Sequence, residues 1–426
     1  MSRPTTSISP EITQSDEALV QPRCPIDHAA LALQKTARAA EPISIPIERD
    51  AAGVWQVRGF EEARAILRNA DTKQAGFRAE LLERLPSAIK NLPILYQEGK
   101  THQLQRKQTA RFFTPRAVSS AYRLLMERLA DQLIGKLQRA GRADLSELSM
   151  TLAVRVAGEV VGLTDSHLPG LEKRLDVFLA RGIPALHWQP LAFARFLRTQ
   201  LDLMAFFSLD VLPAIRARKR HPREDVISHL IAQGYSDSEI LTECVTYAAA
   251  GMATTREFIS VAAWHFLEQP ALRARYLAAP EAERQEMLQE ILRLEPVVGH
   301  LYRRATADIQ LESAGEQITI KRGELIDLHI YAANADEYVV GEQPLALCPG
   351  RVLRAERVSL AVMGFGDGHH RCPGAYIAMQ ETDIFLQRLL ALDNLQIERT
   401  PALTWNDLVP GYELRHFFVS AAPQEM

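Results

Sequence analysis

The chain of 426 residues is 47% hydrophobic and 24% charged with a formal net charge of −3, so it can bury a sizeable core and gives no reason to expect nucleic acid or an anionic membrane as partner. Its four cysteines, Cys24, Cys244, Cys348 and Cys372, lie far apart without zinc-type spacing; neither a disulfide framework nor a zinc site is expected, and a reducing compartment fits. No uninterrupted apolar run approaches the ~20 residues of a membrane helix, and the polar opening segment lacks the basic and apolar stretches of a signal peptide, which predicts a cytoplasmic protein with a disordered tail over 1–22 and a single domain over 23–426.

Residues 43–47 and 54–57 are β-branched runs separated by a turn at 50–53, which predicts a small sheet near the start of the chain. Apolar residues then recur at helical spacing around 60–69, 100–140, 144–162, 167–182, 190–219 and 223–233. Ser236 and Glu239 have the spacing of a capping box and open a long helix predicted to reach about Glu268. At ~1.5 Å per residue such a helix crosses a whole globular domain. A further helix over 281–294 stops before Pro296, strands follow near 302–320 and 324–330, and periodicity is weak over 335–371. With no internal repeat, the pattern is that of a mainly α protein with minor sheet. An irregular segment of that length inside a compact domain is usually functional.

That segment leads into Phe365-Gly366-Asp367-Gly368-His369-His370-Arg371-Cys372-Pro373-Gly374. Its glycines permit positive φ and close approach of backbone to a flat ligand. Pro373 suits the first turn of the following helix, and a cysteine at a helix N-terminus is favoured as thiolate. The stretch matches Phe-Gly-x-Gly-x-His-x-Cys-x-Gly at every position and so resembles the haem-ligand loop of the cytochrome P450 family of haem-thiolate enzymes. The resemblance implies a triangular-prism helical domain with a small accessory β-sheet. It also implies heme b as cofactor, with Cys372 as the proximal iron ligand in a loop shaped by Phe365, Gly366 and Gly374.

Three further motifs carry the same resemblance. Ala250-Gly251-Met252-Ala253-Thr254-Thr255 resembles the family's segment over the distal haem face, where small residues at Ala250 and Gly251 let the helix widen and leave room for O2. The Thr254 hydroxyl can donate and accept hydrogen bonds, and in the family the matching threonine guides protons to dioxygen. Ala253 departs from the acid usual at that position, which puts proton delivery in question. Glu257, three residues beyond Thr254 on roughly the same face, is one alternative source, although an exposed charge is its ordinary role; ordered water or a substrate hydroxyl are others. Glu290-Ile291-Leu292-Arg293 resembles the family's Glu-x-x-Arg pair, which is buried and fixes the irregular segment before the cysteine. His102, Arg106, Arg303 and His370 match the family's partners of the haem propionates, with Arg304 one residue from Arg303.

The resemblance implies a monooxygenase that takes O2 and draws electrons from a ferredoxin or flavodoxin with its reductase, since no reductase domain follows Met426. Substrate contacts are expected over 73–95, 178–207 and 297–302, where Phe77, Leu92, Leu95, Phe178, Trp188 and Leu301 favour an apolar small organic substrate. Lys100, Arg106, Lys107, Arg111 and Arg371 are expected to cluster beside the cysteine loop as a docking face for the electron donor. Two other readings stay open: a haem-thiolate enzyme that uses peroxide or performs coupling, isomerisation or dehydration, and a non-catalytic haem sensor. His28 beside Cys24 is read as a surface or packing residue.

Overall fold

Pro46 has no N–H to give to a ladder, so the first strand begins just after it. Strand β1 (Ile47–Arg49) pairs antiparallel with β2 (Trp55–Val57), and the Asp50 carboxylate closes the turn by accepting from the Ala52 and Val54 amides at 2.9 Å. The strand thus starts four residues and ends two residues later than the β-branched run over 43–47 implies. The structure, a computed structural model, describes residues 34–36, 45–77, 79, 91–181, 190–406 and 409–422. The predicted tail, Cys24, His28 and Trp188 lie outside these residues.

Helix α1 (Phe60–Arg68) and strand β3 (Thr72–Gln74) follow. The predicted helix over 100–140 divides into α2 (Gly99–Thr109) and α3 (Arg123–Ala140), because Pro115 restarts the helix with Thr114 as its N-cap. Strand β4 (Arg142–Asp144) leads into α4 (Leu145–Val161), α5 (Leu171–Arg181), α6 (Pro190–Phe206), α7 (Leu212–Arg220) and α8 (Val226–Ala232). The capping box is present: Ser236 Oγ accepts from the Glu239 amide and Glu239 accepts from the Ser236 amide. It opens α9 (Asp237–Tyr247), which continues through a π-helical turn, Ala248–Ala253, into α10 (Thr254–Glu268). This continuous rod is buried over most of its second half and packs against α4 and α13 (Ala375–Leu390). Between them come α11 (Pro270–Ala278) and α12 (Glu281–Leu294).

Strands β5 (His300–Ala305), β6 (Ile309–Ser313), β7 (Glu316–Ile320) and β8 (Leu325–His329) precede the cysteine loop. After it come β9 (Gln396–Arg399), β10 (Ala402–Asn406), β11 (Gly411–Arg415) and β12 (Phe418–Ser420). The main sheet runs β1-β2-β8-β5-β3. It has its own small apolar cluster, including Val57, Phe60, Ile326 and Leu328, beside the large helical core. Among the described residues no helix is long and apolar enough to cross a membrane. Against the expectation from cysteine spacing, Cys348 is disulfide-bonded, whereas Cys244 and Cys372 are free.

Candidate active site

Cys372 lies between the short turn Gly368–His370 and α13, and its amide donates to Phe365 O at 2.9 Å, folding the loop back on itself. Gly366 and Gly368 have φ of 66° and 65°. A Cβ at Gly368 would stand 2.1 Å from the Leu67 carbonyl oxygen, so the loop can approach α1 only with glycine there. Gly374 instead has φ −83° and is the N-cap of α13, which places Pro373 before the helix and not in its first turn. Burial pushes the Cys372 thiol up, against the Gly374 and Ala375 amides and the Arg106 and Arg371 guanidiniums, which pull it down. The helix N-terminus therefore does not ionise the thiol by itself, contrary to the sequence-based expectation; a coordinated metal ion would, because a ligating thiol is deprotonated outright.

Cys372, Phe365, Gly366 and Gly374 form one wall of a cavity of about 260 Å³. Ala250, Gly251 and Thr254 line it from the long helix, and His102, Arg106, Arg303 and His370 complete the set drawn from sequence. The π turn is what shapes the helical wall. Its extra residue breaks the regular hydrogen-bond ladder, and threonine hydroxyls take up the carbonyls: Thr254 Oγ1 donates to Ala250 O (2.8 Å) and Thr255 Oγ1 to Gly251 O (2.7 Å). A Cβ at Gly251 would meet nothing within 4 Å, so this glycine leaves open space. A more open groove of about 610 Å³ on the outer side of the loop, reached by Arg371, Ala375 and Met379, lacks the cysteine and the buried cations.

The charged groups at the cavity are held by burial and by one another. Arg303 is 3% exposed and its Nη1 has no hydrogen-bond partner; burial lowers its pKa from 12.5 to about 10, although Glu98 opposes the fall. Arg304 points the other way and donates to Gly323 O, so strand alternation settles which arginine faces the cavity. His102 and His370 stack with ring centroids 4.2 Å apart. Burial first, then the neighbouring His370 and Arg106, lower the His102 pKa to about 4, which leaves it neutral. His370 Nε2 lies 2.9 Å from Glu98 Oε2, and Arg106 Nη2 donates to Arg371 O at 2.6 Å. A buried guanidinium with an open donor is costly unless an anion meets it. Arg303, together with Arg106, a facing thiol and the space at Gly251, therefore fits a flat metal-bearing group that carries carboxylates.

Glu290 and Arg293 stand behind the cavity. Arg293 donates to both Glu290 oxygens at 2.8 Å and to the carbonyls of Asn334, Pro344 and Ala346. Glu290 Oε1 also accepts from the Cys348 amide (2.9 Å) and Arg351 Nε (3.1 Å). Arg351 in turn bonds four carbonyls over 340–346. Asn334 ties the two ends together, donating to Arg293 O and accepting from the Met363 amide. The irregular segment is thus fixed by side chains in place of a backbone ladder.

Other expectations change. Glu257 is neither exposed nor turned to the cavity: it is buried, pairs with Arg256 and Arg415 and accepts from the Leu414 amide (2.7 Å), anchoring β11 to α10. Phe77, Leu95 and Leu301 line the cavity, but Phe178 belongs to the helical core and Leu92 is partly exposed. Sequence reasoning also misses Gln74, Tyr247 and Glu381. Glu381 of α13 is fully enclosed, is hydrogen-bonded to Thr255, and burial raises its pKa well above the usual carboxyl value. Its other oxygen, Oε2, has no partner.

The Cytochrome P450 family profile matches residues 284–402, the span from the Glu290–Arg293 helix through the cysteine loop. The biotin biosynthesis cytochrome P450 of Bacillus subtilis (strain 168) is 28% identical over 363 residues, covering 83% of this chain and 85% of that protein. By these matches and by its motifs the chain is similar to the cytochrome P450 family. Solved structures agree on the fold: CalO2 superposes on this chain with TM-score 0.72 at 22% identity, covering 89% of this chain and 94% of that one. P450BioI, solved in complex with a hexadec-9Z-enoic acid ligated acyl carrier protein, gives TM-score 0.70 at 24% identity, covering 88% and 94%. The similarity supports oxidoreductase chemistry of the monooxygenase kind and implies haem as the cofactor.

Proposed function

We propose that the chain is a cytochrome P450 that inserts one oxygen atom from O2 into an apolar small organic substrate, with heme b held by Cys372 and electrons supplied by a ferredoxin or flavodoxin with its reductase in the cytoplasm. The observation that carries the reading is the cavity itself, which sets the apolar side chains of Phe77, Ile94, Leu95, Val297, Val298 and Leu301 in one enclosure with Cys372 and Thr254. P450BioI, whose complex holds a hexadec-9Z-enoic acyl group, supports the same apolar class.

When bound through Cys372, the haem supplies the one-electron and dioxygen chemistry, with the thiolate pushing electron density towards the iron. The chain does the rest. Arg303 and Arg106 would hold the haem carboxylates by charge-assisted hydrogen bonds, and neutral His102, stacked on His370, would add an N–H donor. Thr254 Oγ1, held on Ala250 O, presents its lone pairs to the cavity and passes protons across it. Glu381 stands in for the acid missing at Ala253. Burial raises its pKa well above the usual carboxyl value, and it reaches the cavity wall through Thr255, next in the chain to Thr254. Lys100, Lys107, Arg111 and Arg371 are exposed, and Arg106, on the same helix as Lys100 and Lys107, reaches the cysteine loop at Arg371 O, which supports a cationic face there for an acidic electron donor.

Steady-state turnover with product analysis tests the reading. Product formation that requires both O2 and an electron donor, with one labelled atom of 18O2 in the product, supports it. Equal turnover under anaerobic conditions or with peroxide alone replaces it with a non-oxygenating or peroxide-driven enzyme.

A further inference from the structure

The main sheet has a second chemical face. Strand β5 lines the cavity with Leu301 and Arg303, and alternation along the strand sends His300 and Tyr302 to the opposite side. There His300 lies directly across from His329 of β8. Asp327, two residues before His329, shares that face, and Gln56 of β2 sits in register with Asp327 from the other side. Three adjacent strands thus bring two imidazoles, a carboxylate and an amide to one patch. None of these residues has a part in the haem-site reading.

The distances are those of a ligand set. One donor atom from each of His300, Asp327 and His329 lies within 4.8 Å of the others. His300 Nδ1 is 2.9 Å from Asp327 Oδ1, and His329 Nε2 is 3.8 Å from Asp327 Oδ2. In the metal-free site His329 Nε2 donates to the Gln56 carbonyl oxygen at 2.6 Å, a contact that an ion bound at Nε2 would replace, and Gln56 is itself held by Asp50 at 2.8 Å. The side chains are 22%, 10% and 9% exposed for His300, Asp327 and His329, so an ion can enter from solvent yet be largely enclosed. Around a tetrahedral ion with bonds of ~2.0–2.2 Å the donors stand roughly 3.4 Å apart, a spacing reached here by small side-chain rotations.

We propose that His300, Asp327 and His329 form a binding site for a divalent transition-metal ion of the Zn2+ class, separate from the haem. Two imidazoles with one carboxylate suit Zn2+, Ni2+ or Cu2+ and not Mg2+, which demands an oxygen shell and keeps its waters. The ion clips β5 to β8 directly behind Leu301 and Arg303, and so stiffens the strand that lines the cavity. Binding to the folded state alone also raises thermal stability in proportion to ln(1 + [Zn2+]/Kd).

The test uses haem-loaded, chelator-stripped protein titrated with Zn2+ by calorimetry, with bound zinc counted by elemental analysis. One zinc per chain is expected, with no uptake of Mg2+. Loss of two ligands in His300→Gln/His329→Gln is expected to weaken binding beyond the ~10–100-fold typical of outer-shell changes, with an unchanged Soret spectrum as evidence of an intact haem site. Asp327→Asn, which keeps size and shape, serves as an independent variant and is expected to weaken binding at least ~10-fold. Wild-type protein that takes up no stoichiometric zinc at micromolar concentration, or either variant binding zinc as tightly as wild type, overturns the proposal.

Discussion

Arg303→Met is expected to act with opposite sign on the haem-free and the haem-loaded protein. In the folded chain burial holds the Arg303 pKa at about 10, down from 12.5. At 1.36 kcal/mol per pKa unit this corresponds to ~3 kcal/mol of disfavoured charge. The group stays protonated at pH 7 in both folded and unfolded chains, so the penalty is fully present there and fades only as pH rises above about 10. Met removes the charge and keeps most of the apolar stem, so the haem-free protein is expected to gain about 1–3 kcal/mol in urea unfolding, against the usual loss at a core site. The haem-loaded protein loses a charge-assisted hydrogen bond of about 1.5–3 kcal/mol, or roughly 10–150-fold in affinity. Haem transfer to excess apomyoglobin reads that loss as a faster release rate. Release as slow as wild type, or a haem-free variant less stable than wild type, would refute the idea that Arg303 is a buried cation waiting for a carboxylate.

Arg293→Ala leaves Glu290 buried with fewer partners and frees three carbonyls; about 3–5 kcal/mol of stability is expected to go, seen as failure to retain haem and a lower urea midpoint. Thr254→Ala and Glu381→Gln are both expected to keep haem and substrate binding while diverting electrons into peroxide, measured as product formed per reductant consumed; unchanged coupling in Glu381→Gln would remove that residue from the proton path. Charge reversal at exposed Lys107 or Arg111 is expected to slow reduction by an acidic ferredoxin and flatten its salt dependence, because the encounter is screened over a Debye length of ~10 Å at 0.1 M. Rapid-mixing rates indifferent to both salt and substitution would exclude this face.

The parts of the site that can be read in the sequence are those bound to a local backbone rule. Gly366 and Gly368 must adopt positive φ, Ser236 and Glu239 satisfy a helix terminus, and Ala250 and Gly251 mark where the long helix widens. The strand at 300–305 also reveals Arg303, because alternation permits only one of two adjacent arginines to face inward. What stays hidden depends on segments distant in the chain. Glu257 looks like a surface charge until β11 arrives to cover it, and Glu381 looks like an ordinary helical glutamate until α13 packs beside Thr255. The same holds for Arg351, whose partners span a loop with no periodicity, and for His300 and Asp327, which meet only through sheet register. Even the ionisation of Cys372 reverses in sign: the helix N-terminus and Arg106 favour the thiolate, but enclosure outweighs them until a metal is bound.

The central claim is that Cys372 is the haem ligand of a monooxygenase. The absorption spectrum of the reduced protein under carbon monoxide tests it most directly, in wild type and in Cys372→Ser. The red-shifted Soret band of thiolate ligation is expected in the wild type and its loss in the variant. A wild-type band at the position of histidine-ligated haem, or a red-shifted band that survives in Cys372→Ser, would contradict the account.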